Sequence, residues 1–346
     1  MAAPEKRIRV SLVATPDAVP YTVIGPYDVL QTFHALVPGD TAFDAEIVGT
    51  ESGSTRCASG LSLDVGRSVR EVDETDLVIV PAMVLQEGIW LPGRYPELVS
   101  WIKAMYARGA TVSSACSGAM LLAETGLLSG CEATLHWEYA SPFMRLFPDV
   151  RLRLDRMLLT TGSDGRIVMS GASGSWHDLV LHILARYAGP ASAQAAARFH
   201  VLQWHADGQA PYISFKEPID HGDPAVLTAQ QWLSANMESP NPVDGMARAS
   251  GLPARSLKRR FRVATGYTPL VYVQLLRVER AKRALETGER AVDEVSYMVG
   301  YEDPAFFRRL FKRVTGMTPG AYRRRFSLPS FIYDGAHDRM AETVGV

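Results

Sequence analysis

The chain has 346 residues, of which 47% are hydrophobic and 21% charged, a balance that predicts two globular domains and excludes a fibrous or disordered protein. Its longest apolar stretch, residues 77–85, is far shorter than the ~20 residues that span a bilayer, and the N-terminus has no signal-peptide pattern, so we expect a cytoplasmic protein without a membrane partner. The net charge of −1 is unevenly distributed, because residues 225–330 carry +9 and the remainder −10. Such a basic block suits a polyanionic partner, although charge alone favours a solvated basic face without a ligand.

Residues 8–188 alternate short β-rich segments with helical segments. Such alternation predicts an α/β fold with a flavodoxin-like, mostly parallel sheet sandwiched by helices, in which ligands bind beyond the carboxyl ends of the strands. The predicted strands are Ile8–Ala14, Phe43–Val48, Leu77–Val80, Ala110–Ser114, Met157–Thr160 and Ile167–Ser170. The predicted helices are Pro26–Leu36, Pro96–Ala107, Gly118–Thr125, His136–Leu146 and Trp176–Tyr187.

The segment Ala115-Cys116-Ser117-Gly118 joins a predicted strand to a predicted helix. Small residues around one thiol at such a junction are typical of a nucleophile elbow. Cys116 would then lie at a helix N-terminus, where the helix dipole lowers the pKa of a thiol and favours bound anions or carbonyl oxygens. A small buried residue without a chemical role fits the same pattern, so both interpretations stay open. Cys57, Cys116 and Cys131 have no CxxC spacing and indicate neither disulfides nor a zinc site.

The elbow and the segment Thr134-Leu135-His136-Trp137 resemble the ThiJ/PfpI-like, class I amidotransferase-like superfamily over residues 8–188. Both segments are typical of the branch that is fused to AraC-type DNA-binding domains, the GlxA-like regulators. The resemblance implies that this part of the chain senses a ligand. The pocket residues that it implies are Cys116, Ser117, His136, Trp137, Tyr21, Ala82 and Met83.

The chain departs from the catalytic members of that superfamily at two places. Tyr21 stands where they carry a Glu that hydrogen-bonds the thiol, and Pro81-Ala82-Met83 replaces their Pro-Gly-Gly, whose backbone helps to form the oxyanion site. We therefore expect a sensor and not an enzyme. The alternatives are a cysteine-dependent hydrolase, lyase or deglycase with Cys116 as nucleophile and His136 as base, and a purely structural or dimerising domain.

The resemblance also implies a small nitrogenous effector, such as an amino acid or a quaternary amine. Tyr21 and Trp137 are candidates to cage a cation between aromatic rings. His177 and His182, near Asp178, follow no metal-ligand spacing, so the sequence predicts neither a metal site nor a cofactor.

Residues 189–224 connect the two parts of the chain. Ser192–His205 has a helical pattern, and the density of Pro, Gly and charged residues that follows predicts a linker from Ser214 to Pro224. Residues 327–346 are predicted to form a C-terminal tail.

The C-terminal part contains an internal repeat with a period of 50 residues. The identical pairs are Phe261 and Phe311, Thr265 and Thr315, Gly266 and Gly316, Thr268 and Thr318, and Pro269 and Pro319. Each copy has a short amphipathic helix, Val243–Ser250 or Val292–Val299, then a glycine, then a second helix with a basic face. This order predicts two tandem helix-turn-helix units in an all-α domain, residues 225–326, joined by a longer helix, Leu270–Leu285.

The closing run Phe311-Lys312-Arg313 … Gly316-Met317-Thr318-Pro319 … Tyr322-Arg323 gives residues 225–326 a resemblance to the AraC/XylS family of transcription regulators. The resemblance implies double-stranded DNA as a partner. The base contacts that it implies come from Arg255, Lys258 and Arg259 in the first unit and from Arg308 and Arg309 in the second.

Arg262, Lys312 and Arg313 are better placed to bind phosphates, although any one of these side chains also fits an ordinary solvated role. Pro304 and Ala305 stand where the family often has long polar side chains that read bases. We therefore expect the first unit to read the sequence and the second to rely on phosphates and DNA shape.

These expectations combine into one hypothesis for the whole chain. A small-molecule effector in the N-terminal domain changes the domain orientation or the geometry of a homodimer, and thereby changes how well paired DNA-binding modules span two half-sites. RNA polymerase is a further partner if the protein is an activator.

Overall fold

The computed structural model describes residues 6–85 and 88–327. It divides into two compact units, unit 1 ending at Gln209 and unit 2 beginning at Ala210. The predicted α/β domain followed by an all-α domain is confirmed. No helix in the described ranges is long and apolar enough to cross a membrane. The predicted tail lies outside the described residues from position 328 onward.

A mostly parallel sheet forms the centre of unit 1. The strands of this unit are β1 (Lys6–Val13), β2 (Thr41–Gly49), β3 (Gly53–Arg56), β4 (Ser62–Val65), β5 (Arg67–Ser68), β6 (Leu77–Val80), β7 (Thr111–Ala115), β8 (Glu132–Ala133), β9 (Arg151–Leu152), β10 (Leu158–Thr161) and β11 (Ile167–Ser170). Seven of them form one sheet in the order β10-β11-β7-β6-β1-β2-β5, in which only β10 runs antiparallel to its neighbour. The β3–β4 hairpin and the β8–β9 pair lie outside it.

Helices cover both faces of this sheet. They are α1 (Tyr21–Leu36), α2 (Pro96–Ala107), α3 (Gly118–Glu124), α4 (Ala140–Leu146), α5 (Trp176–Ala188) and α6 (Pro190–Phe199). Leu77 and Ile79 on β6 face the cluster made by α1, α5 and α6, whereas Val78 and Val80 face the cluster made by α2, α3 and α4. All four are buried, as expected of a central parallel strand that is covered on both faces.

Two predicted helices of unit 1 are wrong at their starts. The first begins at Tyr21, five residues before the predicted Pro26, because buried Thr22 and Val23 extend its packed face past the proline. The helix predicted from His136 begins only at Ala140, since residues 137–139 form a 3-10 turn. The short strands β3, β4, β5, β8 and β9 were not predicted.

The helix predicted as Ser192–His205 is also wrong, because it ends at Phe199. Val201 has a φ of +56°, which leaves the right-handed helical region, and the Leu202 amide donates back to the Ala197 carbonyl at 2.9 Å. The remaining residues of this segment contain a turn, in which the Gly208 amide donates to the His205 carbonyl at 3.0 Å, and lead to Gln209, which is fully buried and donates to Thr134 at 3.0 Å.

The segment predicted as a linker, residues 214–224, packs on unit 2. The Phe215 ring lies 5.1 Å from the ring of Tyr272, whose hydroxyl donates to the Glu217 carboxylate at 2.6 Å. Asp223 accepts from the Val226 amide at 3.2 Å and binds the Arg260 guanidinium at 2.6 Å. This segment is therefore held by side-chain contacts, which its density of Pro and Gly did not indicate.

Unit 2 is all-α and contains both copies of the repeat. Its helices are α7 (Pro224–Ala235), α8 (Pro242–Ser250), α9 (Ala254–Thr265), α10 (Pro269–Thr287), α11 (Val292–Met298), α12 (Pro304–Thr315) and α13 (Pro319–Phe326). The first helix-turn-helix is α8–α9 and the second is α11–α12, joined by α10. Gly251 and Gly300 in the two turns have φ of +66° and +86°, the left-handed conformation that their sequence positions predict.

Each copy has its own hydrophobic core, and α10 takes part in both. Tyr272, Val273 and Leu276 belong to the core of the first copy, whereas Ala281 and Leu285 belong to that of the second. The predicted inward faces of the recognition helices are confirmed. Leu257 and Phe261 of α9 and Phe307 and Phe311 of α12 are all fully buried.

Candidate functional site

The predicted elbow is present between β7 and α3. Cys116 has a φ of +52°, a strained value for a residue other than glycine, and its amide donates to the Ser170 carbonyl at 2.8 Å. At Gly118 an added Cβ would lie 2.3 Å from the Pro81 carbonyl oxygen. The end of β6 therefore touches the start of α3 so closely that only glycine fits at this position.

The expected decrease in the pKa of the Cys116 thiol is wrong. Cys116 is 2% exposed, and burial raises the pKa of its thiol above the usual value. Hydrogen bonds from the Ser173 hydroxyl and from the backbones of Ser117 and His136 oppose this increase without cancelling it. The charged form of a buried thiol loses more solvation than one short helix can restore.

The backbone amides expected at an oxyanion site already have partners. The Ala82 amide donates to the Thr22 hydroxyl at 3.0 Å, and the Met83 amide donates to the Ser117 hydroxyl at 2.8 Å. The same Ser117 hydroxyl donates to the Met83 carbonyl at 2.5 Å. The segment that replaces Pro-Gly-Gly is thus fastened to α1 and to the elbow by its own backbone groups.

His136 and Trp137 lie against each other beside the elbow. Their ring centroids are 3.8 Å apart with nearly parallel planes, and His136 Nδ1 accepts from the Glu138 amide at 3.3 Å. The Trp137 Nε1 is buried and has no hydrogen-bond acceptor within the described part of the chain. Tyr139, which the sequence did not indicate, also lies in this region. Burial raises the pKa of its hydroxyl, and the charge of an ionised Cys116 raises it further.

Tyr21 belongs to a different feature, an apolar surface pocket of about 630 Å³. The pocket is lined by Val19, Pro20, Tyr21, Ile24, Gly25, Ser59, Leu61 and Trp176. Gly25 admits the Trp176 ring, because an added Cβ would lie 2.7 Å from that ring. Trp176 lines this pocket together with Tyr21, whereas Trp137, the partner expected for Tyr21, is not among its lining residues. Nothing in the local sequence around Trp176 showed that α5 presents it to α1.

Sequence reasoning also missed His205 as a neighbour of His177 and Asp178. The Asp178 carboxylate accepts from the His205 amide at 2.8 Å and lies 2.6 Å from His205 Nδ1. His182, one turn further along α5, is a separate, partly buried residue, and burial lowers its pKa.

The predicted DNA-contacting residues of the first unit form one exposed face of α9. Arg255, Lys258, Arg259 and Arg262 are all exposed, and among the described residues none of them has an ion-pair partner. The remaining cation of this helix, Arg260, turns away and binds Asp223. Pro253 precedes the helix and provides no side-chain cap, so the first amides of α9 carry no carboxylate partner.

The corresponding residues of α12 are also exposed, but several of them contact acidic or amide side chains. Arg308 forms an ion pair with Asp293, and Arg309 lies 4.0 Å from Asp303. The Asp303 carboxylate caps the helix by accepting from the Ala305 amide at 2.8 Å. Arg313 donates to Gln274 at 3.2 Å.

One buried arginine connects the turn of the second helix-turn-helix to the loop that precedes the first. Arg277 on α10 is 5% exposed, and its guanidinium donates to the carbonyls of Met237 and Ser239 on one side and of Gly300 on the other. It also lies 4.9 Å from the centre of the Tyr301 ring. Sequence reasoning missed this residue.

An elbow-bearing α/β unit followed by two helix-turn-helix units defines a class of protein, the transcriptional regulators of the AraC family that carry a DJ-1/PfpI domain. Comparison with known families agrees: the DJ-1/PfpI family matches residues 8–184, and a helix-turn-helix domain matches residues 246–325. The chain belongs to the DJ-1/PfpI family and has an AraC-type helix-turn-helix domain at its C-terminal end.

Individual relatives carry related names. The HTH-type transcriptional regulator GlxA of Rhizobium meliloti is 31% identical over 218 residues, which make up 63% of this chain and 66% of GlxA, just under two thirds of its length. The HTH-type transcriptional regulator CdhR of Pseudomonas aeruginosa is 24% identical over 305 residues, or 87% of this chain and 86% of CdhR. A solved AraC family transcriptional regulator from Pseudomonas putida has a TM-score of 0.48 and 19% identity, covering 56% of this chain and 99% of that one.

Proposed function

We propose that the chain is a sequence-specific DNA-binding transcription regulator whose residues 8–188 bind a small-molecule effector. The observation that carries the proposal is the exposed face of α9, where four cations on a helix-turn-helix recognition helix have no anionic partner among the described residues. Phosphate and the acceptor edge of guanine are the groups that such a face binds.

The two units contribute unequally in this proposal. Arg255, Lys258 and Arg259 are unengaged within the described chain, whereas Arg308 and Arg309 each face a carboxylate. Pairing with Asp293 or Asp303 must be broken before these arginines reach a base. We therefore assign base reading to the first unit, and phosphate contacts to Arg262, Lys312 and Arg313.

DNA binding is tested by selecting sequences from a random duplex pool with the intact protein. We expect one enriched motif, bound at least about 1,000 times more tightly than random duplex, with affinity that falls steeply as salt rises. Recovery of no motif from several selection rounds would contradict sequence-specific binding.

The effector is proposed to bind in the pocket between Tyr21 and Trp176. Its volume of about 630 Å³ suits a small metabolite, and its lining is apolar and aromatic. A quaternary amine donates no hydrogen bonds and is attracted to ring faces, so its chemistry fits this lining. Thr22, next to Tyr21, accepts from the Ala82 amide, which connects the pocket wall to the segment beside the elbow.

Choline and its neutral isostere 3,3-dimethyl-1-butanol form a matched pair of probes for this pocket. A thermal-shift screen of quaternary amines and amino acids should find a ligand that stabilises the protein by ~2.7 kcal/mol at 100 times its dissociation constant. The charged member of the pair should stabilise more, and Trp176→Ala should abolish the effect. Equal stabilisation of the wild type and Trp176→Ala would place the effector elsewhere.

Three observations support a sensor over a cysteine-dependent enzyme. The Cys116 thiol is buried with a raised pKa, and the amides of Ala82 and Met83 are already engaged. Tyr21, at the place of the expected Glu, lines a pocket whose lining does not include Cys116. Turnover of amides, glyoxals or isonitriles that disappears in Cys116→Ala would overturn this assignment.

Regulation requires that effector binding change the affinity for DNA. We expect the effector to shift operator affinity of the intact protein by 5-fold or more, roughly the usual size of allosteric coupling, and Trp176→Ala to lose the shift while keeping basal affinity. We further propose a homodimer on paired half-sites, to be measured by sedimentation with and without DNA, and contact with RNA polymerase if transcription rises.

A further inference from the structure

Three side chains converge at the start of α5 in unit 1. His177 and Asp178 lie in the first turn of this helix, and His205 comes from the irregular segment after α6. The two ring nitrogens and the carboxylate oxygen all lie within 4.8 Å of one another. Asp178 is 3% exposed, so its carboxylate is a buried negative charge.

The carboxylate of Asp178 is held in one orientation. Its Oδ1 accepts from the His205 amide at 2.8 Å, which directs Oδ2 toward both rings. His205 Nδ1 lies 2.6 Å from Oδ2, and His177 Nε2 lies 3.5 Å from it. His177 Nε2 also lies 2.9 Å from the Gln203 carbonyl, to which it donates, so this hydrogen bond must open before the same nitrogen binds an ion. The three ligand-type atoms therefore lie close together, and a backbone amide orients the Asp178 carboxylate.

We propose that this cluster binds a divalent transition-metal ion of the zinc type, with His177, Asp178 and His205 as its protein ligands. Two imidazole nitrogens and one carboxylate oxygen form a donor set that zinc uses when a fourth position stays open to water. The ion would replace the proton that now lies between His205 and Asp178, and its charge would compensate the buried carboxylate.

The distances between the ligand atoms allow this exchange once His177 releases the Gln203 carbonyl. Ligand bonds of ~2.0–2.2 Å around a tetrahedral ion place neighbouring ligand atoms roughly 3.3 Å apart. The His177–Asp178 distance of 3.5 Å already fits. The His205–Asp178 distance of 2.6 Å is that of a hydrogen bond and must lengthen by less than ~1 Å.

The surroundings also suit an ion that exchanges with solvent. The side chains of His177 and His205 are 16% and 21% exposed, which leaves a path to the site. The Asp178 oxygen that faces away from the rings accepts from a backbone amide, and metal-ligating carboxylates are usually hydrogen-bonded in this way. Binding would fix residues 203–205 against α5, four residues before unit 1 ends at Gln209. None of these steps depends on DNA binding or on the effector pocket.

The test uses the tag-free full-length protein, stripped with chelator and titrated with zinc chloride by calorimetry. We expect one Zn²⁺ per chain, and a loss of at least tenfold in affinity in His177→Ala and in His205→Ala. His200→Ala is the matched control, because it removes a histidine from the same segment but outside the cluster, and should leave affinity unchanged. Co²⁺ should give the visible absorption of a tetrahedral site, and His177→Ala should lose it.

Folding is checked by circular dichroism for each variant. His177→Ala leaves the His205–Asp178 contact in place, so it decides the question even if His205→Ala unfolds. Failure of the wild type to bind Zn²⁺, affinity unchanged in His177→Ala, or an equal loss in His200→Ala would each overturn the proposal. Asp178→Asn, which keeps hydrogen-bond acceptors but removes the charge, should weaken binding as well.

Discussion

The Arg277 guanidinium donates to the Gly300 carbonyl at 3.0 Å, and an added Cβ at Gly300 would lie 2.7 Å from that same guanidinium. The turn of the second helix-turn-helix therefore presses directly on the residue that also binds the Met237 and Ser239 carbonyls, which lie in the loop just before the first helix-turn-helix. Arg277 therefore links the turn of the second helix-turn-helix to the loop that leads into the first, in addition to the packing of α10 in both cores.

Arg277→Met should loosen the arrangement of the two helix-turn-helix units within the C-terminal domain. The substitution leaves the carbonyls of Met237, Ser239 and Gly300 without their donor, a cost of about 3 kcal/mol in the free energy of unfolding. Urea denaturation measures this loss. On DNA, we expect the variant to lose its preference for one spacing between the two recognition sequences, measured by anisotropy on duplexes with one base pair added or removed.

Arg277→Lys controls for charge in that experiment. Lysine keeps the positive charge but offers no planar fork, so it should recover only part of the stability and of the spacing preference. Arg277→Met could instead unfold at the same urea concentration as the wild type and keep its spacing preference. That result would show that Arg277 does not position the two helix-turn-helix units.

The repeat supplies a matched pair of glycines for a second prediction. Gly251 and Gly300 occupy the same place in the two turns with φ of +66° and +86°, so alanine costs roughly 1–2 kcal/mol of backbone strain at either. At Gly251 the added Cβ has no neighbour within 4 Å, whereas at Gly300 it meets Arg277 and, at 2.9 Å, the Glu238 backbone. Gly300→Ala should therefore destabilise by at least about 1 kcal/mol more than Gly251→Ala. Equal urea midpoints for the two variants would contradict the close approach.

The order of elements was predictable because their signals are local. Pairs such as Phe307 and Phe311 recur at helical spacing, and the apolar run Leu77–Val80 is typical of a covered parallel strand. Residues such as Arg277 were not predictable, since its acceptors are 23, 38 and 40 positions away and an arginine within a helix usually faces solvent.

In the candidate sites, too, features with a local sequence signal were predictable and features that depend on distant residues were not. The Cys116 elbow follows from small residues at a strand–helix junction, but the direction of its pKa shift depends on burial by β11 and the residues after it, which the local sequence does not show. His205 joins Asp178 across 27 positions, and Trp176 reaches α1 only because Gly25 leaves room for its ring.

Arg259 and Arg309 lie 50 positions apart and test the unequal roles of the two units. Arg259→Ala should cost about 1–3 kcal/mol on the selected operator and relax the preference at one base pair, because it removes a base contact. Arg309→Ala should weaken all sequences alike by a smaller factor, since Asp303 already engages this arginine. Competition binding against single-base-pair operator variants measures both, and relaxed specificity in Arg309→Ala alone would reverse the assignment.

Lys312→Ala shows how the loss of a single phosphate contact affects binding, for comparison with Arg259→Ala and Arg309→Ala. Loss of one phosphate contact should reduce the slope of log affinity against log salt by ~0.9 and leave sequence preference intact. A change in preference with an unchanged slope would mean that Lys312 reads a base.

Cys116 should react with alkylating reagents more slowly than Cys131. Burial raises the pKa of its thiol, and 2% exposure limits access, so iodoacetamide should modify it far more slowly than the partly exposed Cys131 at neutral pH. Its rate should still be rising with pH above ~8.5, where an ordinary thiol is already half ionised. Mass spectrometry of the labelled peptides, with Cys116→Ala to assign the site, measures both rates.

The same raised pKa predicts the pH dependence of stability. Because the folded state holds the Cys116 proton more tightly than the unfolded state, its contribution is fully present below the unfolded pKa of ~8.5 and is lost as pH rises toward the folded value. Stability should therefore fall with pH in that range, and Cys116→Ala should reduce the slope. Cys57, whose pKa is also raised by burial, remains in the variant, so part of the slope should persist. Rapid labelling of Cys116 at neutral pH, together with a slope unchanged in Cys116→Ala, would instead indicate an accessible, ionised thiol and would restore the case for cysteine-dependent chemistry at the elbow.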